Sequence, residues 1–233
     1  MPRQRQAEVT EATRLKIKET ARELMAEKGT AGLSLRAIAR VMEMTAPAIY
    51  HYFPSLDDLI TALIVDAFTS HAETVRQARD QIAADGNSCG EQLFAAILAY
   101  RQWALAHPID FQLIYGNPIP GYSAPGAVTT PAARKLGAVF MEVLILALET
   151  GEVTVLESYR TIPPSVRAHY QNKFELTGEP AVLFHLMNHM WSFMHGMVTL
   201  EIYNHAAPVV GDTDAFYEQA IRHQFHLMGI VLP

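Results

Sequence analysis

Cysteine is almost absent from this 233-residue sequence, in which Cys89 is the only one. A single cysteine excludes a disulfide within the chain, and such sparing use is typical of a protein in a reducing compartment. The polar, charged N-terminal residues also lack the apolar run of a signal peptide. These two absences lead us to expect a cytoplasmic protein.

Charged residues are missing from residues 181–200, which makes this segment a candidate membrane span. Polar or small residues interrupt the segment, among them His185, Asn188, His189, His195 and Gly196. Polar side chains of this kind are costly in the hydrocarbon interior of a bilayer. The segment is therefore expected to be a buried or interfacial helix, and no membrane partner is expected.

Patterns on which enzymes depend are also missing. The sequence contains no GxSxG nucleophile elbow, no P-loop, no GxGxxG after a strand and no cysteine cluster. His185 and His189, spaced i, i+4, could hold a metal ion, which would make the protein a metal-dependent enzyme or a metal sensor. However, no glutamate completes an HExxH motif, and residues 181–200 contain no acid to orient the pair. We favour two core histidines, with no metal, no cofactor and no catalytic residues.

Positive charge is concentrated at one end of the chain. The whole sequence has a net charge of −6, yet residues 1–56 contain nine Lys or Arg against six acids, a net charge of +3. Residues 57–233 contain nine against eighteen, a net charge of −9. This segregation favours a nucleic-acid partner at the N-terminal end. Arg3 and Arg5 could form an arm along the DNA or a solvated tail.

Residues 34–53, SLRAIARVMEMTAPAIYHYF, have the pattern of two short helices joined by a tight turn. Ser34 is a favourable N-cap residue for the first helix. Apolar residues then follow at the i, i+3, i+4, i+7 spacing of one buried face: Leu35, Ile38, Ala39 and Met42. A pair of helices of this kind is a helix-turn-helix, which places its second helix in the major groove of DNA.

The second helix is predicted to begin at Thr45 as its N-cap, with Pro47 in the first turn where its missing N–H costs nothing. Ile49 and Phe53 turn inward at i, i+4. Small residues at the start of this helix allow close approach to base edges, while hydroxyl groups and a histidine can donate to phosphates. The candidate DNA-binding residues are therefore Ser34, Arg36, Thr45, Ala46, Pro47, Ala48, Tyr50, His51, Tyr52 and Ser55.

A preceding helix over residues 14–28, stopped by Gly29, completes a three-helix unit that resembles the DNA-binding domain of the TetR family of transcriptional regulators. The resemblance covers residues 14–63. The family ends its recognition helix with L-Y-x-H/Y-F-x-S-K, and residues 49–56 here are IYHYFPSL. The resemblance implies sequence-specific binding to double-stranded DNA.

Two residues depart from the family pattern. Glu43 stands in the turn that usually carries glycine, and Leu56 stands where the family has a lysine after the serine. The second departure implies one phosphate contact fewer, so that more of the affinity rests on Arg3, Arg5, Arg36 and the tyrosines.

The remainder of the chain, residues 57–233, is predicted to be a helical ligand-binding and dimerisation domain, so the fold class is all-α with a DNA-binding domain over residues 1–56. The segment 116–131 contains four prolines and three glycines and is expected to be a long loop, such as a lid or a pocket wall. Helices are predicted at about 57–83, 89–106, 108–115, 131–150, 164–175, 180–204 and 213–230.

The sequence WSFMHG at residues 191–196 is similar to a TetR subgroup marked by a Trp-x3-His-Gly motif, as is the stretch from His107 to Gly116. The family resemblance implies a homodimer formed by the last two long helices. Gly196 within a helix costs about 1 kcal/mol relative to Ala, which suits a position that another helix or a ligand approaches. The expected interface residues are Trp191, Met194, Val198, Ile202, Phe216, Ala220, Phe225, Leu227 and Met228.

An apolar or aromatic small molecule is the expected effector, because aromatic and methionine side chains recur on the helices that should surround the core. His185, His189 or His195 could supply a polar contact. The candidate ligand-binding residues are Trp103, Phe111, Tyr115, Met141, Met187, Trp191 and His195.

Together these features predict a homodimeric regulator, most simply a repressor that an effector releases from a palindromic operator. The alternatives are the metal-dependent enzyme or metal sensor and an architectural DNA-binding protein without an effector. A saturable ligand that changes operator affinity would separate the regulator from the architectural protein. Turnover or stoichiometric bound metal would support the enzyme or the sensor.

Overall fold

A computed structural model describes residues 2–233, except the side chains of residues 2–7 and of Ala31. Arg3 and Arg5 belong to that exception, so the predicted contacts of their side chains lie outside the described residues. The helices are α1 (Pro2–Lys28), α2 (Leu35–Val41), α3 (Ala46–Tyr52), α4 (Leu56–Ala84), α5 (Cys89–Ala106), α6 (Pro108–Tyr115), α7 (Gly126–Thr150), α8 (Glu157–Arg160), α9 (Pro164–Phe174), α10 (Gly178–Ile202), α11 (Ala207–Val210) and α12 (Thr213–Met228).

The all-α prediction is confirmed. Within residues 2–233 the only extended pairing is one isolated antiparallel bridge between Val153 and Ile230. None of the helices described is both long and apolar enough to cross a membrane.

Most predicted helices agree with the structure within a few residues, and two boundaries are wrong. The first helix begins at Pro2 and not near residue 14, because the preceding residues are mostly Arg, Gln, Glu and Ala, which favour helix, and proline suits the first position. The predicted loop 116–131 ends early, since α7 already begins at Gly126. There the carbonyl of Pro125 accepts from the main-chain N–H groups of Val128 and Thr129.

The chain divides into two compact units. One unit comprises the residues up to Thr69 with His107–Ala133, and the other comprises Ser70–Ala106 with Arg134–Pro233. The sequence-based boundary after residue 56 falls at the start of α4, which continues without interruption through residue 84. Because of their contacts, the first turns of α4 belong to the same unit as the helix-turn-helix. The assignment of DNA binding to residues 1–56 and of ligand binding to residues 57–233 stays a prediction.

The core of the first unit joins the apolar faces of α1 to α4. Each fully buried Leu, Ile or Phe side chain stabilises such a core by about 1.5–3 kcal/mol. The most completely buried members are Ile17, Ala21, Ile38, Ile49, Phe53, Leu59, Ile60 and Leu63. The inward residues of the recognition helix therefore pack into the core that α1, α2 and α4 also form.

The second unit is built mainly from α5, α7, α10 and α12. Arg101 on α5 is buried there and donates to both carboxylate oxygens of Glu201, at 2.7 and 2.6 Å, and to Asp214 at 2.6 Å. The hydrogen bonds with Glu201 raise the pKa of Arg101 above its ordinary value. Because removing one partner of a buried ion pair is strongly destabilising, the Arg101–Glu201 pair fixes α5 against α10. The Asp214 side chain is 81% exposed, so its contact at the start of α12 contributes less.

Candidate nucleic-acid interface and effector cavities

Helix α2 forms as the sequence predicts. The Ser34 hydroxyl oxygen accepts a hydrogen bond from the main-chain N–H of Ala37 at 3.1 Å and so caps the helix. Leu35 and Ile38 are buried. Arg36 on the opposite face is exposed, which leaves its guanidinium accessible to a phosphate.

The turn between α2 and α3 contains a non-glycine residue in the left-handed region. Glu43 has φ +53°. The left-handed conformation costs an L-residue about 1–2 kcal/mol, a cost that glycine avoids. The glycine usual at this place in the family therefore has a physical reason, and Glu43 retains strain as well as a negative charge.

Helix α3 carries most of the predicted DNA contacts. Pro47 and His51 are exposed, and Tyr50 is 45% exposed. Thr45 occupies the N-cap position, but its side chain makes no capping hydrogen bond within the described chain. The predicted N-cap position of Thr45 is therefore confirmed, although the cap is formed without its side chain. The Thr45 side chain is exposed, and it stays a predicted DNA contact.

Tyr52, another predicted DNA contact, is half-buried. Its side chain packs against the core of the first unit, and its ring lies edge-on to His51 with centroids 5.5 Å apart. The reason is that a seven-residue helix has few positions that point fully away from the core. Tyr52 remains a candidate DNA contact, but less of its side chain is exposed than that of Tyr50.

Arg14 was not among the predicted site residues, yet it contacts the end of α3. Its Nη1 donates to the main-chain carbonyl of Tyr52 at 2.5 Å, and its guanidinium lies 4.3 Å from the centre of the Phe53 ring. Sequence reasoning missed this contact because Arg14 and Tyr52 are 38 residues apart. A basic residue on the first helix gives no local signal of such a partner.

Ser55, another predicted DNA contact, caps α4. Its hydroxyl oxygen accepts from the main-chain N–H of Asp58 at 3.1 Å, while the hydroxyl donates to the Asp58 carboxylate at 2.6 Å. The first of these bonds is a side-chain N-cap, and it holds the start of the helix that follows the recognition helix.

The predicted ligand-binding residues are divided between the two units. Phe111 and Tyr115 belong to the first unit, with ring centroids 5.1 Å apart. The remaining five belong to the second unit: Trp103, Met141, Met187, Trp191 and His195. Of these five, Met187 and Trp191 line a common cavity with side chains of α5, α7 and α12, but its volume is only about 30 Å³. This space is comparable to that of one water molecule.

Trp103 and His195 belong to an aromatic cluster inside the second unit. The Trp103 ring stacks on His71 at 4.1 Å, and His71 also lies 4.4 Å from the Tyr100 ring. The Tyr100 hydroxyl and His195 Nδ1 are 2.7 Å apart and share a hydrogen bond. Burial lowers the pKa of His195 below its ordinary value, so the neutral ring is favoured.

His185 and His189 are adjacent, with their Nε2 atoms 3.1 Å apart. His185 Nδ1 also lies 3.2 Å from the Tyr170 hydroxyl. Burial, the neighbouring His189 and Arg167 lower the pKa of His185. In the part of the chain that the structure describes, no group of three His, Cys, Asp or Glu side chains could hold a metal ion.

A larger cavity, of about 270 Å³, lies in the first unit. Side chains of α4 and α6 and the segment that follows α6 form its walls. The sequence pointed to this segment as a possible pocket wall, although none of the seven candidate ligand residues lines the cavity. The lining residues are Ile64, Phe68, Leu113, Ile114, Gly116, Asn117, Pro118, Ile119, Tyr122, Ala124 and Thr129.

Four of the predicted interface residues on α10 and α12 do not lie on the outer surface of these helices. Val198, Phe225, Met194 and Met228 are at most 1% exposed within one chain, because they face the core of their own unit. They cannot also form a subunit surface without rearrangement. Large apolar side chains of these helices that are exposed are Trp191, Leu200, Phe216 and Leu227.

Two family models match the sequence. Residues 17–63 match the family described as bacterial regulatory proteins, tetR family, and residues 93–224 match the tetracyclin repressor-like, C-terminal domain. The chain is 32% identical over 209 residues to the HTH-type transcriptional regulator Rv1816 of Mycobacterium tuberculosis, which covers 89% of this chain and 88% of that protein.

Solved structures agree with these matches. The crystal structure of the regulatory protein SCO4313 is 30% identical, with a TM-score of 0.75 over 94% of this chain and 98% of that chain. A tetR-family regulatory protein from Rhodococcus RHA1 is 13% identical, covers 94% of this chain and 98% of its own, and shares the fold with a TM-score of 0.65. The chain therefore belongs to the TetR family of DNA-binding transcriptional regulators.

Proposed function

We propose that this protein is a cytoplasmic repressor that binds a palindromic operator as a homodimer and releases it when a small apolar effector binds. The observation that carries the DNA-binding part is the short helix α3, which presents Pro47, Tyr50 and His51 outward while Ile49 is fully buried. The exposed Arg36 lies nearby on α2. Small residues at the helix start suit base contacts, and the hydroxyl and basic groups suit phosphates.

Ten residues are proposed to form the DNA-binding surface, and each is exposed or half-buried. Ser34 and Ser55 have capping roles of their own, so their expected part is to hold the helix starts that approach the backbone. The full set is Ser34, Arg36, Thr45, Ala46, Pro47, Ala48, Tyr50, His51, Tyr52 and Ser55.

The exposed apolar residues of α10 and α12 support the homodimer. Leu200 is 51% exposed, Phe216 46% and Leu227 43%. A Cβ added to Gly196 on α10 would meet no atom within 4 Å among the described residues, apart from the backbone of its own helix. Any close approach at Gly196 must therefore come from another molecule, and a helix of a second subunit fits the small residue there. Two-fold symmetry would place the recognition helices about 34–36 Å apart, one DNA turn, on a palindromic site.

The effector part of the proposal rests on the cavities. Trp191 of the Trp-x3-His-Gly motif lines the cavity of about 30 Å³ in the second unit. His195 of the same motif belongs to the aromatic cluster around Tyr100. Binding among the predicted residues of the second unit would require this cavity to enlarge, which methionine side chains allow. The cavity of about 270 Å³ in the first unit offers space already formed. This space favours a ligand-responsive regulator over an architectural DNA-binding protein.

Selection of bound genomic fragments with the purified full chain tests the proposed function. We expect recovery of a short palindrome, with protection of two half-sites about one turn apart. The position of the palindrome relative to the neighbouring promoter distinguishes repression from activation. Binding without sequence preference would contradict the proposal, and an asymmetric single site would contradict the dimer.

A further inference from the structure

The cavity of the first unit has a lining with a distinct chemistry. Its walls are mainly apolar, with Ile64 and Phe68 from α4, Leu113 and Ile114 from α6, and Ile119 from the following segment. No side chain among the described residues that line it carries a charge at neutral pH. A charged ligand would lose its hydration there without gaining a partner, which is costly.

Hydrogen-bonding groups are few in this lining. The Thr129 hydroxyl donates to the carbonyl of Pro125 at 3.3 Å, which leaves its oxygen able to accept. The Tyr122 hydroxyl pairs with Thr61 Oγ1 at 2.9 Å, and Asn117 adds an amide. The volume of about 270 Å³ corresponds to about nine water molecules at about 30 Å³ each. These properties fit a small, uncharged, mainly apolar molecule with one hydrogen-bonding group.

A wall of this cavity is connected to the helix-turn-helix by an ion pair. Asp110 lies on α6, one turn before Leu113 and Ile114, and its two carboxylate oxygens accept from Arg22 Nε of α1 at 2.8 and 3.0 Å. The side chain of Asp110 is only 10% exposed. A partly buried, charge-assisted bond of this kind holds the two helices in a fixed relation. A displacement of α6 must therefore move α1 or break the bond.

We propose that the cavity of the first unit binds a small uncharged molecule, and that the Arg22–Asp110 ion pair transmits its occupancy from α6 to α1. This inference rests on the proposed function, because it assigns the effector site of that function. It places the site apart from the predicted residues of the second unit. It also places the connection to the recognition helix in α1, whose Arg14 contacts the end of α3.

Benzyl alcohol, which has one ring and one hydroxyl group, is a suitable probe, and benzoate is its charged control of similar size. Methyl NMR of the full chain labelled at isoleucine should show saturable shifts at Ile64, Ile114 and Ile119 with benzyl alcohol and none with benzoate. Ala124 lines the cavity but is exposed, so Ala124→Trp should fill the space without disturbing the core. We expect this variant to lose the shifts.

The connection is tested by the ratio of operator affinities without and with saturating benzyl alcohol. Allosteric coupling of about five- to 150-fold is usual, and we expect the wild type to fall in that range. Asp110→Asn should still bind the probe, while its ratio falls below about twofold. The matched control is Asp66→Asn on α4, since Asp66 pairs with Lys18 of the same helix α1 at 2.7 Å without involving α6. It should retain the wild-type ratio.

Several results would overturn the inference. One is that the shifts are confined to isoleucines of the second unit, such as Ile97, which lines the cavity of about 30 Å³ there. The others are no saturable shift at all, or equal shifts with benzoate. A wild-type ratio in Asp110→Asn, or a lost ratio in Asp66→Asn alone, would overturn the route through α6. Operator selection without the probe tests the proposed function by itself. The inference therefore fails alone when an operator is bound but the cavity stays empty.

Discussion

Arg14 of the first helix donates from Nη1 to the main-chain carbonyl of Tyr52 at the end of the recognition helix, at 2.5 Å. The last carbonyl groups of a helix have no partner within it, and a basic side chain near them is favourable. The Arg14 guanidinium also lies over the Phe53 ring. The orientation of the recognition helix therefore depends on a residue of α1 that is expected to hold α3 and not to read DNA.

Replacing Arg14 with Met keeps an unbranched apolar side chain and removes the donor. We expect the free energy of unfolding to fall by about 1.5–3 kcal/mol, the range for a hydrogen bond to a charged group. Operator affinity should fall as well, even where the variant is fully folded. Urea unfolding and operator titration measure the two effects. Arg14→Lys keeps the charge, so its free energy of unfolding and operator affinity should lie between those of the wild type and Arg14→Met. Wild-type values of both quantities for Arg14→Met would contradict this role.

Glu43→Gly should stabilise the protein, because Glu43 has φ +53° and glycine adopts that conformation without the cost of about 1–2 kcal/mol. Removing its negative charge should also strengthen operator binding. Glu43→Gln is the matched control, since it removes the charge and keeps the strain. We expect it to gain affinity without gaining stability. Thermal unfolding and operator titration at two salt concentrations separate these contributions, and a stabilised Gln variant would refute the assignment of strain.

Tyr50→Phe should weaken binding to all DNA sequences by a similar factor if the exposed hydroxyl contacts a phosphate. The expected loss is about 1.5–3 kcal/mol. Substituting His51 should instead change which half-site sequence is preferred. Parallel titrations with operator and random DNA decide between the two patterns. Tyr52→Phe provides the comparison for a half-buried tyrosine, and an unchanged affinity in both variants would remove the tyrosines from the interface.

Leu227→Glu should convert a dimer into monomers, because Leu227 is 43% exposed on α12 and a charge there would be desolvated in a subunit interface. Its monomer should keep its helical content. Val198→Asp is the contrasting variant, since Val198 is fully buried within one chain and its substitution should unfold the protein. Sedimentation and circular dichroism distinguish these outcomes. A wild-type protein that is monomeric at micromolar concentration would disprove the dimer.

The stability of the second unit should decrease in mild acid through His195. Burial lowers the pKa of His195 in the folded chain below the ordinary value of 6.5. Below that value the unfolded chain binds a proton that the folded chain does not, so stability falls as the pH falls, whereas above it both forms are neutral. Urea unfolding at about pH 8 and about pH 5.5 measures the effect. His195→Gln should lose less stability between these pH values, and an equal loss would exclude His195 as the cause.

The sequence by itself determined the helix-turn-helix and the family. Caps, apolar spacing and the Pro47 position are local signals, and so they predicted α2, α3 and the buried Ile38 and Ile49. The same local logic placed most later helices within a few residues. It also placed the N-cap of α3 correctly at Thr45, although an N-cap position does not ensure that the side chain makes the capping bond.

Only the tertiary structure decided which surfaces and cavities these helices form. Helical spacing marks Val198 and Leu227 alike as apolar, yet the first is buried within its chain and the second is exposed. The same limit applies to the candidate ligand residues, which the contacts divide between two units. The Arg14–Tyr52 and Arg22–Asp110 contacts join residues far apart in sequence. Such contacts depend on how the helices pack together, and the pattern of residues along one helix does not indicate which distant residue will lie beside it.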